Sequence, residues 1–401
     1  MSRGRQAGKG NAVKILPSRT LAVTLGPRRR LDALIVLSTL CAEGTPVMAL
    51  DLCRAWRLRG LEAGVAVLFD EPQDMRQDFD AVGAPVLQAH VRKSGRRRYV
   101  EMAIRIASLC HAVRPRAVLS MPFGWHAFVA VGAKSAQVPW VVAHVGSYPP
   151  HWQGRSFWKF KAEVLLGRPF TDRLICCSEY VRQGVRQHFP VSERDTVVVY
   201  NGSDLATVEA RAAQSRLSSA SDTFRVGMVA RLEHSKDHET LIEAVALVAR
   251  HRPIELVIVG DGSRRRDLEA LARARGIEEQ VRFLGTRRDV PEILGTLDAF
   301  AYSVKPDEGL GIALIEAMAA RVPIVATDVG ACKEVLENGA LGTLVPYRDP
   351  AAMAEALEAV AARGPEIAER VQQAARSAAH RFSMEAMAAG YARELGLTPQ
   401  G

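Results

Sequence analysis

From residue 33 onward, short aliphatic and β-branched runs alternate with longer stretches of helical character. The runs at 33–37, 65–69, 117–120, 140–144, 173–176 and 196–200 predict strands, and the stretches between them predict crossover helices of a parallel sheet. Around 206–222 the chain turns rich in Ala, Ser and Arg and loses its strand signal. The alternation restarts at 224–229 and continues through 255–259, 281–284, 299–301, 322–326 and 342–345. The expectation is therefore an α/β protein of two units: a first domain over 31–205, a linker over 206–222 and a second domain over 223–382. A last helix, about 383–395, lies in a segment 383–401 expected to pack back on the first domain. Two parallel-sheet units in tandem predict a ligand cleft between them, beyond the carboxyl ends of the strands.

Composition supports two cores. The chain has 401 residues, 48% hydrophobic and only 6% aromatic, which excludes wholesale disorder. No stretch approaches the roughly 18 to 20 apolar residues of a membrane-spanning helix, and the N-terminus lacks the apolar core of a signal peptide. The expected location is cytoplasmic. The cysteines Cys41, Cys53, Cys110, Cys176, Cys177 and Cys332 form no Cys-x-x-Cys pair and read as reduced core residues.

The net charge of +9 is unevenly spread. Arg3, Arg5, Lys9, Lys14, Arg19 and Arg28 to Arg30 crowd residues 1–30, expected to be a solvated, disordered basic arm. A second cluster, Arg92, Lys93, Arg96, Arg97 and Arg98, reads either as a surface for anionic lipid headgroups or as a solvated loop. Nucleic acid is not expected as a partner, because no helix-turn-helix, zinc spacing or aromatic ribonucleoprotein motif accompanies the charge.

Candidate chemistry gathers in the second half. In 308–316, Gly309 and Gly311 flank Leu310 at the start of a helix, so backbone N–H groups can approach an anion where the helix field favours it. Glu308 stands just before that helix. Glu316 is about two turns in, where a carboxylate reaches a ribose by bidentate hydrogen bonds. Taken alone, the pair also reads as a cap glutamate and a solvated helix glutamate. Arg231 and Lys236 follow the strand at 224–229, and two cations there stabilise a departing diphosphate more than its ground state. Their bland alternative is surface charge at a helix start. No Asp-x-Asp triplet occupies a suitable loop, so no metal site is expected.

In these residues and their spacing the chain resembles glycosyltransferase family 4, the glycosyl group 1 transferases of the GT-B fold, which has two Rossmann-like domains facing a cleft. The most specific stretch runs from Glu308 to Val345: the spaced glutamates, Glu316-Ala317-Met318-Ala319, Val322-Pro323-Ile324-Val325-Ala326-Thr327, Gly330, Glu334 and Gly342-Thr343-Leu344-Val345. Supporting matches are Val199 to Asp204, Val259-Gly260-Asp261-Gly262 and Val281 to Gly285.

The resemblance implies a retaining, metal-independent transferase that moves a sugar from a UDP- or GDP-sugar to a polysaccharide-repeat or lipid-linked saccharide acceptor. It implies that Arg231 and Lys236 hold the diphosphate, Glu308 orients the transferred sugar, Glu316 holds the ribose, backbone groups near Gly309, Gly311 and Ile312 contact the diphosphate, and Gly285 lies near the base. The first domain departs more: where the family places Gly-Gly-Ala-Glu, this chain has Glu43-Gly44-Thr45-Pro46, leaving Gly44 as the loop glycine near the diphosphate. Gly330-Ala331 likewise replaces a glycine pair. His144, at a strand end before Val145-Gly146, resembles the family's acceptor-side histidine and reads otherwise as a structural residue; His126 and His151 read as structural. The mixed aromatic and basic stretch 148–161 suits either a lipid–water interface or core packing of Trp152 and Trp158. An epimerase of the same architecture and an inactive donor-binding scaffold compete with the transferase reading. A dinucleotide oxidoreductase is disfavoured because Gly260-Asp261-Gly262 lacks the next fingerprint glycine.

Overall fold

A computed structural model describes residues 30–42, 44–149, 154–217 and 223–397. Nearly all of the expected basic arm, together with Glu43, His151 and Trp152, lies outside the described residues.

The apolar runs form two parallel sheets, each with helices between its strands. The first contains β1 (Ala33–Leu37), β2 (Ala63–Val67), β3 (Val86–Gln88), β4 (Ala117–Ser120), β5 (Trp140–Val145), β6 (Arg173–Cys176) and β7 (Thr196–Val198), in the order β3-β2-β1-β4-β5-β6-β7. The second contains β8 (Phe224–Val229), β9 (Ile254–Val259), β10 (Val281–Phe283), β11 (Ala299–Tyr302), β12 (Ile324–Thr327) and β13 (Thr343–Val345), in the order β10-β9-β8-β11-β12-β13. Both are Rossmann-like, and the α/β class is as the sequence predicts. Strand order reverses between β1 and β4 and again between β8 and β11, so each sheet has a switch point at which its loops diverge.

Several strand bounds differ from expectation, as in β7 (Thr196–Val198 against 196–200) and β12 (Ile324–Thr327 against 322–326). The edge strand β3 spans only three residues, too few for a period to register. β2 begins two residues early, at Ala63-Gly64, because Leu31 and Pro85 fill the space a side chain at Gly64 would need.

The stretch expected as a linker holds the helix Leu205–Arg216, with Asp204 capping it by accepting from Thr207 N at 3.2 Å. The alanines that erase the strand signal are strong helix formers. Its buried face, Leu205, Val208 and Ala212, packs on the second unit, where Gly295 admits the Ala212 carbonyl so closely that a Cβ would sit 2.2 Å away.

The helix Met384–Glu394 lies against helix Gly44–Leu58 of the first unit, and Trp56 Nε1 donates to Ala388 O at 2.8 Å. The chain thus passes between the units twice, and the passages run side by side: Ser203 N donates to Phe382 O at 3.2 Å and Met384 N to Ser203 O at 3.1 Å. The apolar core of the second unit continues into the first through Val145, Cys176, Cys177 and Val181. Five of the six cysteines are buried and none is in a disulfide.

Candidate active site

The turn after β11 carries Glu308 back beneath the loop after β8. There its carboxylate meets Lys236 Nζ directly, accepts from Tyr302 Oη at 3.1 Å and from Gly309 N at 3.2 Å. Burial alone would raise the Glu308 carboxyl, but the Lys236 charge and these hydrogen bonds hold it below the ordinary glutamate range. The site therefore keeps an ionised carboxylate beside a cation with little water. Lys236 Nζ also lies 5.5 Å from the centre of the Tyr302 ring.

Gly311 precedes the helix Ile312–Ala319 with φ of 87°, and the Tyr302 ring occupies the space a Cβ would take. Glycine is required there on both counts. No side chain caps this helix; Leu314 N and Ile315 N donate to Gly311 O at 3.0 and 3.2 Å, which leaves the Ile312 and Ala313 N–H groups as the ones an anion could take.

Glu316, about one turn into that helix, accepts from Ser203 Oγ at 2.9 Å. Burial raises its carboxyl to about 7, with Ser203 opposing and Asp51 of the first unit adding to the rise. Asp51 is itself raised to about 6, by burial first, against Arg54 and with a contribution from Asp204.

Arg231 is exposed in the turn after β8, where Leu232 N donates to Asp261 O at 3.0 Å. The neighbouring Gly260 has φ of 132° and touches the Ala230 carbonyl so closely that a Cβ would sit 2.1 Å from it. Gly285, with φ of 67° beyond β10, accepts from Gly260 N at 2.8 Å. Gly285 belongs to that neighbouring turn rather than to the Lys236–Glu308 group. Gly44 opens helix Gly44–Leu58 instead of sitting in a free loop, and no atom lies within 4 Å of where its Cβ would be. The structure brings Gly44 into no contact with the other candidates.

His144, the penultimate residue of β5, is almost fully buried, with Nδ1 2.7 Å from Tyr391 Oη, and burial pushes its pKa down to about 4. His126 is buried too, 2.7 Å from Thr171 Oγ1.

Several motif residues turn out to join the two units. A Cβ on Gly309 would lie 2.1 Å from the Gly146 carbonyl, and Ser178 Oγ donates to Gly309 O at 2.6 Å. Ser178 also caps the first-unit helix Glu179–His188, whose first two N–H groups, on Glu179 and Tyr180, donate to the Glu334 carboxylate at 2.7 and 2.8 Å. Gly330 leaves room for the Tyr180 ring, and Tyr180 Oη donates to Pro306 O at 2.7 Å. Tyr302, Ser178, Ser203 and Tyr391 carry no role in the sequence reading. Only Ser178, a serine before an amphipathic run, left a legible signal as a helix cap.

Comparison with known proteins gives the family and the fold. Residues 42–207 match the family Glycosyltransferase Family 4, and residues 210–378 match Glycosyl transferases group 1. The chain belongs to the family 4, group 1 glycosyltransferases. Within this family, it is 35% identical over 218 residues to the alpha-D-kanosaminyltransferase of Streptomyces kanamyceticus, covering 51% of this chain and 56% of that one. It is 32% identical over 234 residues to the D-inositol 3-phosphate glycosyltransferase of Geodermatophilus obscurus, covering 53% and 50%. The chain spans about half the length of these curated relatives. The crystal structure of Anabaena HepE in complex with UDP and glucose superposes with a TM-score of 0.79 at 21% identity, over 92% of this chain and 100% of that one, a likeness of the GT-B fold.

Proposed function

We propose that this protein is a retaining glycosyltransferase that moves a sugar from a nucleotide-diphosphate sugar to a saccharide or lipid-linked saccharide acceptor without a metal. The observation that carries the reading is the buried, ionised Glu308 held by Lys236 and Tyr302 beside an uncapped, glycine-led helix start. Lys236 turns from Glu308 to the diphosphate when the donor enters, joined by Arg231 and by the N–H groups near Gly309, Gly311 and Ile312. Glu308 then faces the transferred sugar and stabilises positive charge at its anomeric carbon. Glu316 accepts from the ribose hydroxyls in place of Ser203, and Gly285 lies near the base.

As the bond from anomeric carbon to phosphate oxygen breaks, its electron pair leaves with the diphosphate. The acceptor oxygen attacks from the same face, and its proton passes to the departing phosphate oxygen. The cations stabilise charge that grows only as the bond breaks, which is where binding energy accelerates a reaction.

Anabaena HepE, solved with UDP and glucose, makes a uridine donor the first to try. One surface fits a lipid-linked acceptor. Helices Arg98–Val113 and Gly154–Gly167, tied by Lys159 Nζ donating to Tyr99 Oη at 3.0 Å, expose Val100, Ile104, Trp158, Leu165 and Leu166. Arg92, Lys93, Arg96 and Arg97 are exposed just before the first of these helices, and exposed apolar and cationic groups together are what an anionic membrane surface takes. Trp158 is 67% exposed, against core packing for it. Among the described residues no helix is long and apolar enough to cross a membrane.

The test is a thermal-shift panel of nucleotide diphosphates and nucleotide sugars, with and without chelator, followed by product analysis. A native-state ligand raises Tm with its concentration over Kd. The reading expects one base to stand out, chelator to have no effect, and a product that keeps the donor's anomeric configuration. Donor consumption without a transfer product would select the epimerase; binding with no turnover would select the scaffold.

A further inference from the structure

Tyr391 is fully buried on helix Met384–Glu394, and its hydroxyl has one hydrogen-bond partner among the described residues, His144 Nδ1 at 2.7 Å. The other ring nitrogen, Nε2, faces Gly146, whose Cβ position would be 2.8 Å from it. The Gly146 carbonyl packs against Gly309, the residue after Glu308. Nε2 therefore points to the seam between the two units, beside the glycine loop, and has no hydrogen-bond partner among the described residues.

The two groups share a single hydrogen bond but hold two candidate hydrogens. Burial keeps the ring neutral, so it carries one proton. If that proton were on Nδ1, it would be donated to Tyr391, whose own hydroxyl hydrogen would be left without an acceptor in a fully buried position. Leaving a buried donor unpaired is the costly outcome. If Tyr391 donates to Nδ1, both groups are satisfied and the ring proton lies on Nε2.

We propose that Tyr391 is a positioning residue that fixes His144 as its Nε2–H tautomer, so that His144 donates a hydrogen bond to an oxygen of the nucleotide sugar. His144 is then no general base, and the proton of the acceptor goes elsewhere. The donor role rests on the reading that the seam is the transfer site; the tautomer assignment does not. The C-terminal helix, far from the second-domain motifs in sequence, thus sets the chemistry of a first-domain side chain.

The experiment uses the full chain labelled with ¹⁵N-histidine. The long-range ¹H–¹⁵N spectrum of the unliganded protein reports the tautomer, with His144→Gln identifying the resonance. The wild type should show a protonated Nε2 and a bare Nδ1 from pH 5.5 to 8, and Tyr391→Phe should show averaged shifts of both tautomers. With donor and acceptor, Tyr391→Phe should lower kcat roughly three- to tenfold, the worth of one oriented neutral hydrogen bond, while donor KM stays within about twofold.

A wild-type ring protonated on Nδ1, or a tautomer unchanged in Tyr391→Phe, would overturn the proposal. His144→Ala transferring at the wild-type rate would overturn the donor role even with the tautomer as stated. That failure is separate from failure of the transfer-site reading, which Glu308→Gln reports independently.

Discussion

Replacing Glu334 by Gln probes whether the second-domain motif acts across the domain boundary. The Glu334 carboxylate accepts from Glu179 N and Tyr180 N at 2.7 and 2.8 Å, at the N-terminus of a helix that belongs to the other sheet. Hydrogen bonds to a charged group contribute about 1.5–3 kcal/mol each, and a carboxylate in the field of a helix start adds about 0.3–1 kcal/mol. Gln keeps one acceptor oxygen and turns an N–H toward the other donor. One bond is lost and the remaining one becomes neutral. Allowing for the half-exposed position, the loss is about 2 kcal/mol, or about 30-fold in the balance between the seated and separated domains. The other ties, Ser178 to Gly309 and Tyr180 to Pro306, remain. Glu334→Gln should therefore fold, widen the radius of gyration of the donor-bound protein in small-angle scattering, and lower kcat/KM by roughly tenfold or more. If the radius and kcat/KM match the wild type and only Tm falls, Glu334 is a helix cap and not a closure contact.

Four further outcomes follow from the geometry. Glu316 holds its proton up to about pH 7 because of burial, whereas the proposed ribose contact needs the carboxylate. Nucleotide diphosphate affinity should therefore strengthen as pH rises from 6 to 8, and Glu316→Gln should flatten the part not shared with phosphate ionisation, as read by calorimetry. The same shift means the unliganded protein loses stability as pH rises from about 4.5 through 7, since the folded state holds that proton more tightly than the unfolded chain. Gly311→Ala places a side chain at φ of 87° against the Tyr302 ring, which costs about 1–3 kcal/mol and should lower Tm by roughly 5 °C while abolishing donor binding. Ile104→Asp with Trp158→Ala should weaken sedimentation with phosphatidylglycerol vesicles, and Arg96→Glu with Arg97→Glu should remove its salt dependence; unchanged sedimentation would rule out this face as the lipid contact.

Much of the fold was legible because parallel strands buried between helices must be continuously apolar, and the runs at 33–37, 117–120 and 224–229 are exactly reproduced by β1, β4 and β8. What escaped was short or small. β3 has three residues, and β2 starts on Ala63-Gly64, whose lack of bulk is demanded by Leu31 and Pro85. The helix Leu205–Arg216 is concealed because its run of Ala, Ser and Arg carries only a thin apolar face, Leu205, Val208 and Ala212. In the site, Lys236 and Glu308 meet although 72 residues apart, and their residue types hinted at that meeting. Tyr302 was invisible as a site residue because a tyrosine at the end of an apolar strand reads as core. Ser203 and Tyr391 depend on where the two chain crossings fall, which local pattern does not encode. Gly330 and Glu334 were noticed as motif residues, but only three-dimensional structure reveals that their neighbours come from the other sheet.

In the proposed function Glu308, held ionised by Lys236 and Tyr302, serves the transferred sugar rather than the nucleotide. The most direct measurement compares Glu308→Gln with the wild type for kcat of sugar transfer and for Kd of the nucleotide diphosphate. The account predicts that kcat falls by about 10²–10³, the range for removing one preorganised electrostatic contact, while Kd stays within about threefold. Transfer at near wild-type rate with a confirmed donor would contradict it.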